Sequence, residues 1–383
     1  MTIAELHQNE ALRQHEFPVT QHRVYLAHAG VCPLPRRVAE AMAQAAHDGT
    51  LSDQEAAVAP EFIQETRARA AHLLGAQPGE IAFVGPTSLA LSLVANGLEF
   101  RRHENAVVYF DDYPTNVYPW MMLADRGVEV RFLNVRRLGV LRAEDVLRQV
   151  DENTRLVALA SCHFIAGWRL ELDRLGQALR SRDILFCVDA IQTLGAFPTS
   201  VAHVDFLAAD AHKWLLGPCA SGVLYVREEM QARLQPTVYG WHNLRCPDFV
   251  AQEELTFRRD ARRYEAGSAN LVGLVGLRAA LDLLGEVGVD QIAAELSRKR
   301  TWLVTELGRR GYEVLCADAP PQNAGGITTF HRADTDMPAI HARLAAAGIV
   351  TSLRSDRAGQ KYLRLSPHFY NTDAELGRVL ECL

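Results

Sequence analysis

A lysine stands between two stretches that read as buried: Lys213, in "VDFLAADAHKWLLGPCASGVLYV", residues 204–226. A free ammonium is strongly hydrated, and desolvation lowers its pKa until the amine becomes a nucleophile toward a carbonyl. Upstream, "ILFCVDAIQTLGAF" puts Asp189 just past an apolar run, with Gln192 three residues on. Such a run reads as a buried strand, so Asp189 falls at its C-terminal end, where ligands collect in open α/β sheets. Taken alone, an acid there serves equally well to cap the following helix. The next run, "VDFLAAD", supplies the company: if the two strands are parallel, His212 and Lys213 arrive at the same edge.

A lysine at a strand edge beside a carboxylate is what pyridoxal 5'-phosphate (PLP) requires. Lys213 forms the imine with the cofactor's aldehyde, and Asp189 keeps the pyridine nitrogen protonated so that the ring accepts electrons. On this reading the lysine tolerates an apolar site because it is not carried there as a free ammonium. The phosphate needs its own cradle. "VGPTSLALSLVANGL" offers Thr87 and Ser88 after a Gly85-Pro86 turn, opening a helix with Leu91, Val94, Ala95 and Leu98 at helical spacing. Hydroxyls and free N–H groups at a helix N-terminus form an anion site; in isolation the same residues are a plain N-cap. "DDYPTNVYPW" sets Tyr113 just beyond the run "AVVYF", at another strand end, where an aromatic ring can stack on a planar cofactor.

The elements that must position these residues are legible as short apolar runs: "IAFVG", "AVVYF", "VEVRFL", "RLVALAS", "ILFCVDA", "VDFLAAD" and "SGVLYV". Amphipathic stretches such as "AEDVLRQV" and "LDRLGQALRSR" lie between them. That alternation predicts an α/β fold whose mostly parallel sheet of seven strands is covered on both faces. After "RRYEAGSANLVGL" a long helical region, about Leu271 to Arg310, leads into a smaller α+β pattern. The predicted division is a large domain over 22–265 and a small domain built from 1–21 with 266–383.

Composition narrows the function classes. Forty Lys and Arg against 46 Asp and Glu give a net charge of −6, with no basic run interleaved with aromatics, which argues against nucleic acid or an anionic membrane surface. The opening "MTIAELHQNEALRQHEFP" is polar and lacks the apolar core of a signal peptide, and no stretch is long and apolar enough to span a membrane. Seven scattered cysteines form no C-x-x-C pair, so neither a disulfide framework nor a metal site is expected. A cytoplasmic, thiol-rich protein fits best. No G-x-G-x-x-G or P-loop occurs, so a cofactor here is not read by a dinucleotide loop.

Taken together, D-x-x-Q, H-K-W-x-x-G-P and "YEAGSAN", within a match running from "YLAHAGVCPLP" to "RLSPHFYNT", resemble the class V aminotransferase family of fold-type I PLP enzymes. That family includes cysteine desulfurases, selenocysteine lyases and isopenicillin N epimerase. The resemblance implies a PLP-binding large domain, a small α+β domain, and roles for individual residues. Lys213 matches the Schiff-base lysine and Asp189 the pyridinium partner. Gln192 matches the donor to the ring's phenolic oxygen. His212, Thr87 and Ser88 match phosphate contacts, and Tyr113 the ring-stacking group. Gly267 and Ser268 match a loop that reaches the phosphate of a neighbouring subunit, implying a homodimer. Arg364 matches the arginine that grips the substrate α-carboxylate, a task suited to a planar guanidinium.

The departures from the family bear on the reaction. "GIVTSLRSDRAGQKYLRLSPHFYN" is short and holds no cysteine where desulfurases carry their nucleophile, which argues against an enzyme persulfide. Phe164 stands where desulfurases place a cofactor-contacting asparagine. Asp210, three before Lys213, replaces a phosphate-binding Ser or Thr; an acid facing a phosphate repels it, so Asp210 is expected to point elsewhere. The expected function is therefore a lyase cleaving a C–S or related bond of an amino acid by β-elimination. Transamination is the next alternative, then epimerisation or racemisation. A non-enzymatic PLP-binding regulator is disfavoured, because only about twenty residues precede the match and the lysine is intact. His28 and Arg354 are expected to border the substrate, with Arg354 and Arg357 placed for a second acidic group. A structural role for His28 is equally compatible with the sequence, and His368 reads as structural. Arg258–Arg263 reads as a solvated loop face, and Trp120 and Trp214 as packing.

Overall fold

The computed structural model describes residues 1–383. Seven strands form the central sheet: β1 (Ile81–Phe83), β2 (Asn105–Val108), β3 (Glu129–Phe132), β4 (Thr154–Ala160), β5 (Leu185–Asp189), β6 (Phe206–Ala209) and β7 (Val223–Val226). Their order is β1-β7-β6-β5-β4-β2-β3. Only β7 runs against the rest, antiparallel to both β6 and β1. The apolar runs are continuous because both faces are covered. In β4, Val157 and Leu159 enter the core on one face while Leu156 and Ala158 enter the core on the other. Cys187 of β5 is fully buried in the same way and fills space as a small hydrophobe.

Because β5 and β6 are parallel, with Asp189 level with Ala208, the turn that follows each strand opens at the same sheet edge. The ends of β2 and β4 lead there too. That common edge is why residues as far apart in the chain as Thr87 and Lys213 can meet.

The C-terminal part carries a four-stranded antiparallel sheet made by Ser352–Ser355, Lys361–Leu365, Thr328–His331 and Glu313–Val314. The helical region before it is two helices, Leu271–Val287 and Val289–Arg309. They are separated at Gly288, whose φ of 87° no continuous helix accommodates. The first residues pack against the chain's end: Arg13 pairs with Glu375 at 2.8 Å, and the Phe17 ring stacks on Tyr370 at 4.0 Å. One expectation needs correction. Val24–Tyr25, assigned above to the large domain, pairs in parallel with Ile349–Val350, and Val24 and Leu26 belong to the C-terminal core. A two-residue strand has no periodicity to read, so its partner is set only by the packed structure.

Candidate active site

At the C-terminal edge of the sheet lies a cavity of about 290 Å³. Thr87, Ser88, Tyr113, Asp189, Gln192, His212, Lys213, Arg354 and Arg364 all line it.

Asp189 ends β5 and is buried, accepting the Ile191 N–H at 3.0 Å. Burial raises its proton affinity, the nearby Asp112 carboxylate adds to that, and Lys213 opposes it. Lys213 is buried as well; loss of hydration lowers its pKa, and Asp189 works in the other direction. Its ammonium lies 5.2 Å from the centre of the Tyr113 ring. The apolar flanks seen in the sequence thus do what desolvation requires: they bring a lysine to the edge of neutrality beside a carboxylate.

Gln192 is held at both ends. Trp214 Nε1 donates to its Oε1 at 2.8 Å, and its Nε2 donates to the Ala29 carbonyl at 3.1 Å. One amide N–H is left over for the cavity. Trp214 is fully buried, as the sequence reading held, but its indole also orients the glutamine.

Asp210 turns away from the cavity. Its carboxylate accepts the N–H groups of Ala211, Ala220 and Ser221 at 2.9–3.0 Å and sits 2.7 Å from His212 Nδ1. The acid that would have repelled a phosphate instead fixes the imidazole through Nδ1, leaving Nε2 free. Thr87 Oγ1 accepts the Asp210 N–H at 2.9 Å, so its proton remains available for donation. The helix Thr87–Gly97 has no side-chain cap, so its first N–H groups are unclaimed beside these hydroxyls. This donor set suits a phosphate.

Arg364 is 1% exposed. Its Nη1 donates to the Phe164 carbonyl at 2.6 Å and its Nη2 to Ser352 Oγ at 3.4 Å, while Nε is buried with no partner. Burial, with Arg354 second, pushes its pKa down to about 9. A carbon added at Gly30 would lie 3.8 Å from Nη2 of both Arg354 and Arg364, so the two guanidiniums converge on one side of the cavity. Neither has a carboxylate partner; Arg354 donates only to the Leu353 carbonyl, at 3.1 Å. Two unneutralised cations and an orphaned buried N–H describe a receptor for an anion.

Two expectations change. His28 does not line the cavity: it is fully buried, its ring nitrogens engage the Ser366 carbonyl and the Tyr370 hydroxyl at 2.9 and 2.7 Å, and burial pushes its pKa down to about 4. It is a core histidine. Arg357 is not free for a second acidic group, because it pairs with Asp111 at 2.6 Å. Gly267 and Ser268 lie exposed and outside this cavity, with Ser268 Oγ 3.4 Å from Glu55. His368 is structural as read, contacting the Trp214 carbonyl. Among Arg258–Arg263, Arg262 is tied to Asp260 on the loop.

The sequence reading missed Thr115 and Ile191, which line the cavity but carry no chemical signal, and it gave no role to Asp112. The Asp112 carboxylate accepts from the Tyr113 N–H, the Asn116 amide and the Ala160 N–H, and burial raises its pKa to about 6. The adjacent acids in "DDYP" were the available hint.

Comparison with known proteins accords with this geometry. Residues 24–379 match the family described as Aminotransferase class-V. A probable cysteine desulfurase from Methanothermobacter thermautotrophicus is 29% identical, the alignment covering 96% of each chain. An uncharacterized aminotransferase, YcbU, from Bacillus subtilis is also 29% identical, over 95% of each. Among solved structures, the apo cysteine desulfurase of Thermococcus onnurineus NA1 superposes with a TM-score of 0.88 at 24% identity, covering 97% of this chain and 96% of that one. A complex of the cystine C-S lyase C-DES with its product cysteine persulfide gives 0.86 at 22% identity, covering 95% and 98%. These likenesses establish the fold-type I architecture. With the cavity's lysine, carboxylate and phosphate donors in view, the family match makes this chain a PLP-dependent enzyme of the class V aminotransferase family.

Proposed function

We propose that this protein is a lyase that cleaves the C–S bond of a cysteine-derived amino acid without forming an enzyme persulfide. One observation carries the reading: the cavity combines Lys213, Asp189 and the Arg354–Arg364 pair, yet no cysteine lines it. The buried thiols of Cys32 and Cys162 are pushed up to about 12 by burial, so neither is a ready nucleophile. The cystine C-S lyase with this fold supports the same chemistry.

Pyridoxal phosphate, when bound, supplies an electron sink for charge developing at Cα. This chain's residues do the rest. Thr87, Ser88 and His212 would hold the phosphate, Asp189 would pair with the pyridine nitrogen, and the spare Gln192 N–H would be available to the ring oxygen. Arg364, with Arg354 beside it, takes the α-carboxylate. The Lys213 amine, near neutrality through burial, accepts the α-proton. The Cβ–S bond then breaks, and sulfur leaves with its electron pair. The residual 2-aminoacrylate is hydrolysed by water to pyruvate and ammonium. We further propose a homodimer in which Gly267 and Ser268 approach the partner's phosphate. Their exposure away from their own cavity is consistent with that role.

Transamination is the second reading, favoured by the aminotransferase relative. Incubation of the holoenzyme with cysteine, S-substituted cysteines, their sulfoxides and simple L-amino acids separates the two. Pyruvate with a sulfur fragment and unchanged PLP is the expected result. Conversion to pyridoxamine phosphate with a matching keto acid would establish the transaminase instead.

A further inference from the structure

The catalytic cavity has a neighbour. A second cavity of about 320 Å³ lies across Phe164, which lines both. Tyr113 and Arg354 line the first, and the residues that follow them in the chain, Pro114 and Ser355, line the second. The partition is therefore thin, and two rings dominate it: Tyr113 and Phe164 meet edge-on at 5.3 Å. Joining the two spaces would take a rotamer change of Phe164, the residue that lines both.

Half of the second cavity's lining is apolar, including Phe110, Val117, Leu138 and Ile165. Its charged groups are already satisfied. Asp111 and Arg357 neutralise each other at 2.6 Å, with the guanidinium 3.9 Å from the Phe110 ring centre. Asp112 is turned onto Tyr113 N, Asn116 and Ala160 N, and Asp356 accepts from Tyr362 and Gln360. Nothing here calls for an ionic ligand.

The position relative to the reaction is informative. Arg364 donates to the carbonyl of Phe164 itself, so the carboxylate grip adjoins the partition. Cβ stands two bonds from the carboxylate carbon, within reach of Phe164. The first cavity, about 290 Å³, is at the small end for ligand sites and must hold both cofactor and substrate backbone. A substituent beyond Cβ needs other space.

We propose that the second cavity receives an apolar substituent on the substrate sulfur, so that the enzyme prefers S-alkyl or S-arylmethyl cysteines to cysteine itself. This rests on the lyase reading above. The Cβ–S bond breaks, the α-proton passes to Lys213, the substituent leaves as its thiol after taking up a proton, and water completes pyruvate and ammonium.

The test is the holoenzyme's kcat/KM for L-cysteine and its S-methyl, S-propyl and S-benzyl derivatives. A gain of about fourfold per added methylene is expected. Leu138→Trp, which fills the second cavity, should cut the S-benzyl to S-methyl ratio at least tenfold. The exposed Ser355→Trp provides the same test if Leu138→Trp does not fold. A flat or falling series overturns the proposal, as does a ratio that neither variant changes. Affinity read from the cofactor's absorbance on ligand addition distinguishes the two layers. If binding strengthens along the series and weakens in the variants but no thiol is released, the cavity assignment stands and the lyase reading fails. If neither binding nor turnover follows the series, the cavity assignment fails.

Discussion

Arg364 Nη1 donates to the carbonyl oxygen of Phe164 at 2.6 Å, joining a strand of the C-terminal sheet to the loop after β4 across 200 residues. The guanidinium is thereby aimed before any substrate arrives, and its side-chain entropy is already lost.

Replacing this arginine tests the aim. In Arg364→Lys the bidentate face is gone and the Phe164 carbonyl loses its donor. KM for any amino-acid substrate should rise about 10–100-fold, the cost of a hydrogen bond to a charged group. Cofactor content, read by absorbance, should stay at the parent level. Expulsion of PLP would move Arg364 to the phosphate side of the site.

Lys213→Ala should lower turnover by at least about 100-fold and remove the absorbance of the lysine–cofactor linkage. A variant that keeps both would refute the assignment. Added methylamine that restores partial turnover without that linkage would isolate the proton-transfer role.

Asp210→Asn leaves one acceptor oxygen where the carboxylate now serves three backbone N–H groups and His212. The imidazole should lose its fixed orientation, and PLP affinity should fall about 10–100-fold. Titration of the apoprotein with PLP, followed by absorbance, measures it. Unchanged affinity would mean that His212 does not hold the phosphate.

Acid should destabilise the fold through three buried neutral histidines. Burial pushes His28 and His163 down to about 4 and His368 well below its ordinary value. The unfolded chain takes up protons near pH 6.5 that the folded chain refuses. Stability is therefore full above that value and declines as pH falls from about 6.5 toward about 4, by up to ~1.4 kcal/mol per pH unit for each ring. In urea unfolding between pH 4.5 and 7.5, His368→Gln should reduce this slope by about one proton. Parallel slopes for variant and parent would contradict it.

The strands of the central sheet could be read one by one, because burial on both faces makes each a continuous apolar run with polar flanks. A residue placed after such a run is at a sheet edge, which is why Lys213, Asp189, Tyr113 and Thr87 could be brought toward one site from their spacing alone. The family resemblance, with the repulsion of like charges, also implied that Asp210 points away from a phosphate. It did not say that the acid would turn onto His212. What only the tertiary structure decided concerns partners far apart in the chain. Val24 pairs with Ile349, His28 is sealed by Ser366 and Tyr370, Arg357 is taken by Asp111, and Arg354 converges with Arg364. No local periodicity encodes such contacts. They follow from how the C-terminal sheet lies against the large one, and the same docking puts Phe164 between two cavities. Local chemistry nominated which residues could react; long-range packing decided which of them share a cavity and what stands beside them.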